Sequence, residues 1–184
     1  GADNGMTLAN MKGVEDITDE RWSTLMDQIT LEECLIRTGL GGTSTKVIES
    51  ITSPEAIQND GPNGFNSYPL GQYANSDDST GDPCVIAEDD PNRDYKMGVM
   101  AVETVIGQTF SKQLAEEWGK AVGNYSLWAN TAIWWGVGTN LHRTPYNARN
   151  HEYFSEDAVL TDGQGAAIIE AGHEYGVLIA PKHL

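Results

Sequence analysis

The chain has 184 residues, enough to bury one sizeable core, and its composition (39% apolar, 21% charged) is that of an ordinary folded protein. The formal net charge of −16 argues against nucleic acid or a membrane surface as a partner, because phosphate groups would be repelled, whereas a neutral sugar would not. No apolar run approaches the roughly 18 residues that a membrane helix requires.

Residues 1–17 are interpreted as an N-terminal extension, left by tag removal or processing because the chain begins without Met. No signal peptide is visible, which slightly favours a cytoplasmic location. The two cysteines form neither a disulfide framework nor a zinc cluster. We expect Cys34 to be buried in a helix and Cys84 to lie exposed in a loop.

Two helices are predicted next. Thr18 opens the first, in which four residues recur at helical spacing on one face: Trp22, Leu25, Met26 and Ile29. Thr30 opens the second, since Thr30 and Glu33 fit a capping box. The glycines from Gly39 to Gly42 are predicted to end it.

A strand is predicted around residues 56–58, and the turn Asp60-Gly61-Pro62 places Asp60 at its carboxyl end. Residues 66–95 are predicted to form a long acidic loop. Hard cations bind clustered oxygens, but the loop lacks a fixed D-x-D-x-D-G spacing. A solvated loop is therefore favoured, with no metal site and no cofactor.

Three further elements are predicted between residues 102 and 135. Residues 102–110 are interpreted as an extended segment, and Ser111 as the cap of an amphipathic helix. Residues 132–135 are predicted to form a buried strand, in which Trp134 and Trp135 favour a role in the core over a role as a sugar platform.

The chain then predicts a turn-rich segment at 138–157, a helix and a third strand. Thr161 or Asp162 opens this helix, and Gly176 ends it. Residues 177–180 read as a buried parallel strand because they are apolar and partly β-branched. Strands that alternate with helices indicate βαβ units, and therefore an α/β fold with a parallel sheet.

Polar residues follow all three predicted strands, and ligands of parallel α/β folds collect at the carboxyl ends of strands. These residues are Asp60 after the first strand, His142, Arg143 and Arg149 after the second, and Lys182 and His183 after the third. A carboxylate that accepts from two hydroxyls, with Arg and Lys as donors, forms a polyol site.

Each of these residues also has a plainer interpretation. Asp60 is equally typical of a turn, and His142 is favoured as a structural hydrogen-bonding residue. Arg143 or Arg149 can form a surface ion pair with a nearby carboxylate. Lys182 and His183 can simply be solvated. The spacing alone therefore leaves the site open.

Three segments stand out in order along the chain: Asp60-Gly61-Pro62-Asn63-Gly64, the block from Ala148 to Asp157 that contains Arg149-Asn150 and Ser155-Glu156, and Lys182-His183 after a strand. Together they resemble motifs of glycoside hydrolase family 3, which includes many β-glucosidases. The likeness extends from about Asp27 to Leu184. The chain departs from the family pattern at Asn66, Ala148 and Ala158.

The resemblance implies that four residues bind the hydroxyls of the non-reducing sugar: Asp60, Arg149, Lys182 and His183. Glu152 and Asp157 are expected to support Arg149, and Arg143 is expected to be a further supporting residue. The Lys182–His183 peptide bond is often cis in the family.

The resemblance also implies a retaining β-glycosidase that acts on terminal non-reducing β-linked sugars. The family's nucleophilic Asp lies in an Asp-Trp-like segment, and the chain contains no Asp-Trp. A (β/α)8 barrel takes about 250 residues. Residues 18–184 are therefore predicted to form a partial barrel, about its first three strands and their helices, with no catalytic residue and no activity alone.

Two kinds of partner are expected besides a β-linked saccharide. An incomplete barrel leaves strand edges uncovered, so we expect it to pair with the rest of the barrel or with itself. The alternative function is a non-catalytic carbohydrate-binding or assembly module.

Overall fold

A computed structural model describes residues 1–41, 44–65, 100–129 and 131–183. The predicted acidic loop at 66–95, with Cys84, lies outside these residues. The chain divides into two compact units, residues 1–56 and 57–184. No helix in the described part of the chain is long and apolar enough to cross a membrane.

The first unit contains helices α1 (Glu20–Met26) and α2 (Leu31–Leu40), the two-residue strand β1 (Ser44–Thr45), and 3-10 helices at Leu8–Met11 and Glu49–Ile51. Its core is built from Met11, Leu25, Ile48 and Ile51. Helix α1 begins two residues later than Thr18, because Asp19 is its cap and accepts from the backbone N–H of Arg21 at 2.9 Å.

Helix α2 confirms the predicted capping box and corrects one prediction. The Thr30 hydroxyl accepts from the Glu33 N–H at 3.1 Å, and the Glu33 carboxylate accepts from the Thr30 N–H at 2.8 Å. Cys34, however, is exposed rather than buried. The reason is that α2 contributes no buried residue to the unit, although its spacing is amphipathic.

The second unit holds the elements that position the candidate site. They are β2 (Ala56–Asp60, which starts at the boundary), α3 (Glu103–Gln108), α4 (Lys112–Trp128), β3 (Thr131–Trp135), α5 (Ala158–His173), β4 (Leu178–Ile179) and a 3-10 helix at Asn150–Glu152. Strand β2 pairs in parallel with β3, and β3 pairs in parallel with β4. The predicted mixed α/β fold with a parallel sheet is confirmed.

Two element predictions in this unit are wrong. Residues 103–108 form helix α3 and not an extended segment. Helix α5 begins at Ala158, because Asp157 caps it through a 2.8 Å hydrogen bond from the Leu160 N–H, so neither Thr161 nor Asp162 opens it. By contrast, Ser111 caps α4 as predicted.

The core of the second unit surrounds the central strand β3. Trp134 is completely buried, with its ring 5.3 Å from that of Trp118 on α4. Helices α4 and α5 approach closely at Gly119, where a Cβ atom would lie 2.5 Å from the Ile168 carbonyl oxygen. This packing holds β3, the strand that precedes the loop with Arg149.

Candidate functional site

The first site residue, Asp60, is held by turn chemistry at the end of β2. Its carboxylate accepts from the Gly61 N–H at 2.8 Å, and Gly61 has a φ of +142°, a conformation that favours glycine. The Gly61 carbonyl accepts from the buried Trp134 indole at 3.1 Å. Asp60 is thus a turn residue whose side chain remains 46% exposed and able to bind a ligand.

Lys182 lies directly opposite Asp60, although 122 positions separate them in the chain. Its ammonium group donates to Asp60 Oδ1 at 2.5 Å. The Lys182 backbone continues the sheet beyond β4: its N–H donates to the Val137 carbonyl at 3.0 Å, and its carbonyl accepts from the Thr139 N–H at 2.8 Å. These two backbone hydrogen bonds therefore position the Lys182 side chain beside Asp60.

Glu152 joins Lys182 to the third residue, Arg149. One oxygen of this buried carboxylate accepts from Arg149 Nε, and the other lies 3.8 Å from the Lys182 ammonium. The hydrogen bond with Glu152 raises the pKa of Arg149. Glu152 therefore supports Arg149, whose side chain remains 51% exposed.

His183 completes the cluster. Its Nε2 lies 2.7 Å from Arg149 Nη2, and its Nδ1 lies 2.9 Å from Asn140 Oδ1. The Tyr153 ring packs edge-on against the imidazole at 5.9 Å. Burial, and then the charges of Arg149 and Lys182, lower the pKa of His183. As the resemblance implied, the Lys182–His183 peptide bond is cis.

The structure thus brings together the four residues at the ends of the parallel strands. The cluster contains two carboxylates, Asp60 and Glu152, and two cations, Arg149 and Lys182, so it is electrically balanced while His183 is neutral. Such a balance suits an uncharged ligand rich in hydroxyl groups better than a phosphate or a metal ion. Among the described residues no group of His, Cys, Asp and Glu is arranged to hold a metal.

Two residues predicted to support the site have other surroundings. Asp157 caps α5 and lines a cavity of about 650 Å3 between α3 and the start of α5, and none of the four candidate substrate-binding residues lines that cavity. The Arg143 side chain is exposed, and its backbone N–H donates to the Leu141 carbonyl at 2.8 Å. Neither residue joins the hydrogen-bonded cluster.

His142 has the structural role favoured from the sequence. Its Nε2 lies 2.8 Å from the Asn150 carbonyl oxygen and 3.0 Å from that of Tyr153. Asn150 is the first residue of the 3-10 helix that carries Glu152, and Tyr153 directly follows that helix. The imidazole thereby braces the segment on which Arg149 and Glu152 lie.

Sequence reasoning missed three residues near the site: Asn140, Tyr153 and Glu103. Asn140 and Tyr153 occur within the turn-rich segment, but no spacing singles them out. Glu103 was hidden in the segment interpreted as extended. It is 1% exposed, and its Oε1 accepts from the Gly138 N–H at 3.4 Å, next to the backbone that pairs with Lys182. Burial raises the pKa of Glu103 to about 8.

Comparison with known proteins confirms the predicted resemblance to family 3 β-glucosidases, although no family model matches the chain. A thermostable β-glucosidase B of Acetivibrio thermocellus is 29% identical, with 86% of this chain and 19% of the relative covered. A β-glucosidase of Rhizobium radiobacter is 28% identical, with 86% of this chain and 17% of the relative covered. The chain thus spans about a fifth of the length of these glycosidases.

The fold agrees with the same group of enzymes. The structure of β-glucosidase 3B from Thermotoga neapolitana in complex with glucose matches 88% of this chain and 22% of its own, with a TM-score of 0.69 and 26% identity. The mixed α/β sheet with its helices is therefore shared with a glucose-binding β-glucosidase.

Proposed function

We propose that this chain supplies part of the subsite that binds the terminal sugar in a retaining β-glycosidase. The longer parent would hydrolyse terminal, non-reducing β-linked sugars. Residues 18–184 would form an incomplete (β/α)8 barrel, about its first three strands. The observation that carries the proposal is the cluster at the strand ends, in which Lys182 pairs with Asp60, and Arg149 with His183 and Glu152.

Three members of the cluster, Asp60, Lys182 and Arg149, have an atom suited to a sugar hydroxyl. Asp60 has a second carboxylate oxygen, Oδ2, on a half-exposed side chain, and carboxylates accept from adjacent hydroxyls. Lys182 has three ammonium hydrogens, of which one is directed at Asp60. Arg149 offers further guanidinium hydrogens from its exposed side. A cluster held by its own ion pairs loses little side-chain freedom when it binds a sugar.

The same pairs argue against catalysis by these residues alone. A retaining mechanism needs one carboxylate that attacks the anomeric carbon and one carboxyl that protonates the leaving group. In the cluster, Asp60 is paired with Lys182, and Glu152 is paired with Arg149. Both carboxylates are committed to holding cations, so the nucleophile and the acid are expected in the rest of the parent.

Glucose titration of the chain, followed by NMR, tests the binding role. We expect saturable shifts with a dissociation constant of about a millimolar, which corresponds to about 4 kcal/mol. Asp60→Ala should weaken binding by at least about tenfold, since it removes a hydroxyl acceptor and the hydrogen-bond partner that orients the Lys182 ammonium. Asp162→Asn, at an exposed position on α5, serves as the control and should bind like the original chain.

Three outcomes distinguish the candidate functions. Binding without release of the aryl group from an aryl β-glucoside supports the proposed subsite role in a longer enzyme. Clear turnover by the 184 residues would contradict the assignment of the catalytic groups to the parent. If the parent chain also binds sugar and shows no hydrolysis, the alternative of a non-catalytic carbohydrate-binding module replaces it.

A further inference from the structure

The side chain of Asn140 makes three hydrogen bonds to His183. Its Oδ1 accepts from the His183 backbone N–H at 2.8 Å and lies 2.9 Å from His183 Nδ1. Its Nδ2 donates to the His183 carbonyl at 3.4 Å. Asn140 follows β3, and His183 follows β4, so one side chain ties the ends of two neighbouring strands together.

These contacts leave one arrangement of protons on the imidazole. A backbone N–H can only donate, so the amide atom of Asn140 that faces it is the oxygen. The same oxygen faces Nδ1, which must therefore carry a hydrogen. A guanidinium has hydrogens and no acceptor, so His183 Nε2 must present a lone pair to Arg149 Nη2, at 2.7 Å. Both requirements are met by the neutral Nδ1–H tautomer.

The groups around His183 favour the neutral ring. Burial disfavours a positive charge on the ring, and so do the cations Arg149 and Lys182. Glu152 and Asp60 favour the charge but contribute less, so the pKa of His183 is lowered. The Tyr153 hydroxyl lies 3.4 Å from Nδ1, where its oxygen can share the Nδ1 hydrogen. Protonation of Nε2 would direct a hydrogen at a guanidinium and end the contact with Arg149.

We infer that Asn140 is a positioning residue of the site: it holds His183 as the neutral Nδ1–H tautomer, and His183 Nε2 in turn orients the Arg149 guanidinium. The part of this inference that concerns a sugar rests on the proposed function, whereas the tautomer does not. Asn140 acts through His183 and needs no contact with the ligand.

His142 provides an internal contrast. Its Nε2 lies between two carbonyl oxygens, which only accept, so His142 must carry its hydrogen on Nε2. The two histidines therefore differ at their nitrogens: His183 carries a hydrogen on Nδ1 and His142 carries one on Nε2. One spectrum can report both.

Long-range 1H–15N spectra of the uniformly labelled chain at pH 7.5 test the inference, with His183→Gln used to assign the signal. We expect His183 as Nδ1–H and His142 as Nε2–H. Asn140→Asp should raise the titration midpoint of His183 by about one pH unit or more, because it places a carboxylate beside Nδ1. Asn140→Ala should convert the single tautomer of His183 to a mixture. Asn124→Asp, on the exposed face of α4, should leave His183 unchanged.

Glucose titrations distinguish a positioning role of Asn140 from a merely structural role, because only the positioning role predicts a pH-dependent change in glucose affinity. In Asn140→Asp, glucose affinity should fall roughly tenfold near pH 6 and recover above pH 8, as His183 loses the added proton. A His183 signal of the Nε2–H or doubly protonated type in the original chain would overturn the inference. So would an Asn140→Asp variant whose His183 titrates unchanged. If the tautomer is found but glucose does not bind, the proposed function fails and the positioning role stands.

Discussion

At the scale of single residues, the pairing of Asp60 with Lys182 shows how a site is assembled from distant positions. Neither residue is buried completely, and each is fixed by its own backbone: Asp60 by the Gly61 turn and Lys182 by pairing with Val137 and Thr139. Burial of Glu152 adds a carboxylate that contacts both Arg149 and Lys182. The cluster is therefore organised before a ligand arrives, which reduces the entropy lost on binding.

Glu103 yields a prediction on the pH dependence of stability. Its carboxyl has a pKa of about 8 in the folded chain against 4.5 in the unfolded chain. Between these values the unfolded state binds fewer protons, so Glu103 makes stability fall with rising pH, by up to about 1.4 kcal/mol per pH unit. Glu103→Gln should abolish this slope, because an amide does not ionise, while its oxygen can still accept from the Gly138 N–H.

Urea unfolding at pH 5, 6, 7 and 8 measures this effect. The difference between Glu103→Gln and the original chain should grow in favour of the variant as the pH rises, and should level off above about pH 8. Glu117→Gln, at an exposed ion pair with Lys120 on α4, is the control. Parallel curves for the Glu103 variant and the original chain would show that Glu103 ionises normally.

At the scale of elements, Asp157 caps helix α5 and lies outside the cluster at the candidate site, so its two predicted roles can be tested separately. It accepts from the Leu160 N–H at the start of α5. Asp157→Ala should therefore cost about 1 kcal/mol of stability, as loss of a helix cap does. It should leave glucose binding unchanged, because Asp157 lies outside the cluster that holds Arg149.

Urea unfolding and glucose titration of the same variant check both parts of this prediction. Asp162→Ala, further along α5 and exposed, is the matched control and should change stability by less than about 0.5 kcal/mol. Weaker glucose binding with unchanged stability would instead support the expected contact of Asp157 with Arg149.

Elements with strong local signals were predictable from the sequence. The capping box of Thr30 and Glu33 and the Ser111 cap both depend on residues three positions apart, so the sequence carries the whole interaction. Strands β3 and β4 were visible as apolar runs, and β2 was visible from the Asp60-Gly61-Pro62 turn at its carboxyl end. These local features were sufficient for the α/β class, but they did not predict every element, because residues 103–108 form helix α3 and not an extended segment.

Features that depend on distant packing were not predictable in this way. The β-branched residues near Val105 favour a strand, but residues 103–108 form α3, which packs closely on the Phe154 backbone at Gly107, where a Cβ atom would lie 2.3 Å from the carbonyl oxygen. Cys34 lies on an amphipathic helix whose apolar face is not buried within its unit. The contact of Asn140 with His183 depends on the pairing of β4 with β3, which the sequence around Asn140 does not reveal. For the site, the resemblance supplied the four residues, and their spacing alone did not.

At the scale of the whole molecule, several large apolar side chains are exposed: Leu31, Leu35 and Leu40 in the first unit, and Phe110, Val159 and Leu178 in the second. Leu178 belongs to β4, which lies at the end of the strand order of the described sheet. Uncovered apolar strands at a sheet edge tend to associate. The β4 edge is the surface that the proposed remainder of the barrel, or a second copy of the chain, would cover.

Sedimentation velocity over a range of protein concentrations tests this association. We expect the average mass to rise with concentration, and Leu178→Lys to reduce the effect because a charge on an edge strand opposes pairing. Leu114→Lys, at an exposed position on α4, controls for the added charge alone. A monomer at every concentration, with a cooperative thermal transition, would contradict the proposal that a barrel is incomplete here.

The most direct test of the central claim is a crystal structure of the chain grown with saturating glucose. The claim is that side chains from three strand ends form one sugar subsite. We expect a pyranose with hydroxyls within hydrogen-bond distance of Asp60, Lys182 and Arg149, and with His183 still bound to Asn140. Glucose ordered only at another surface, or none beside these residues at saturation, would contradict the account.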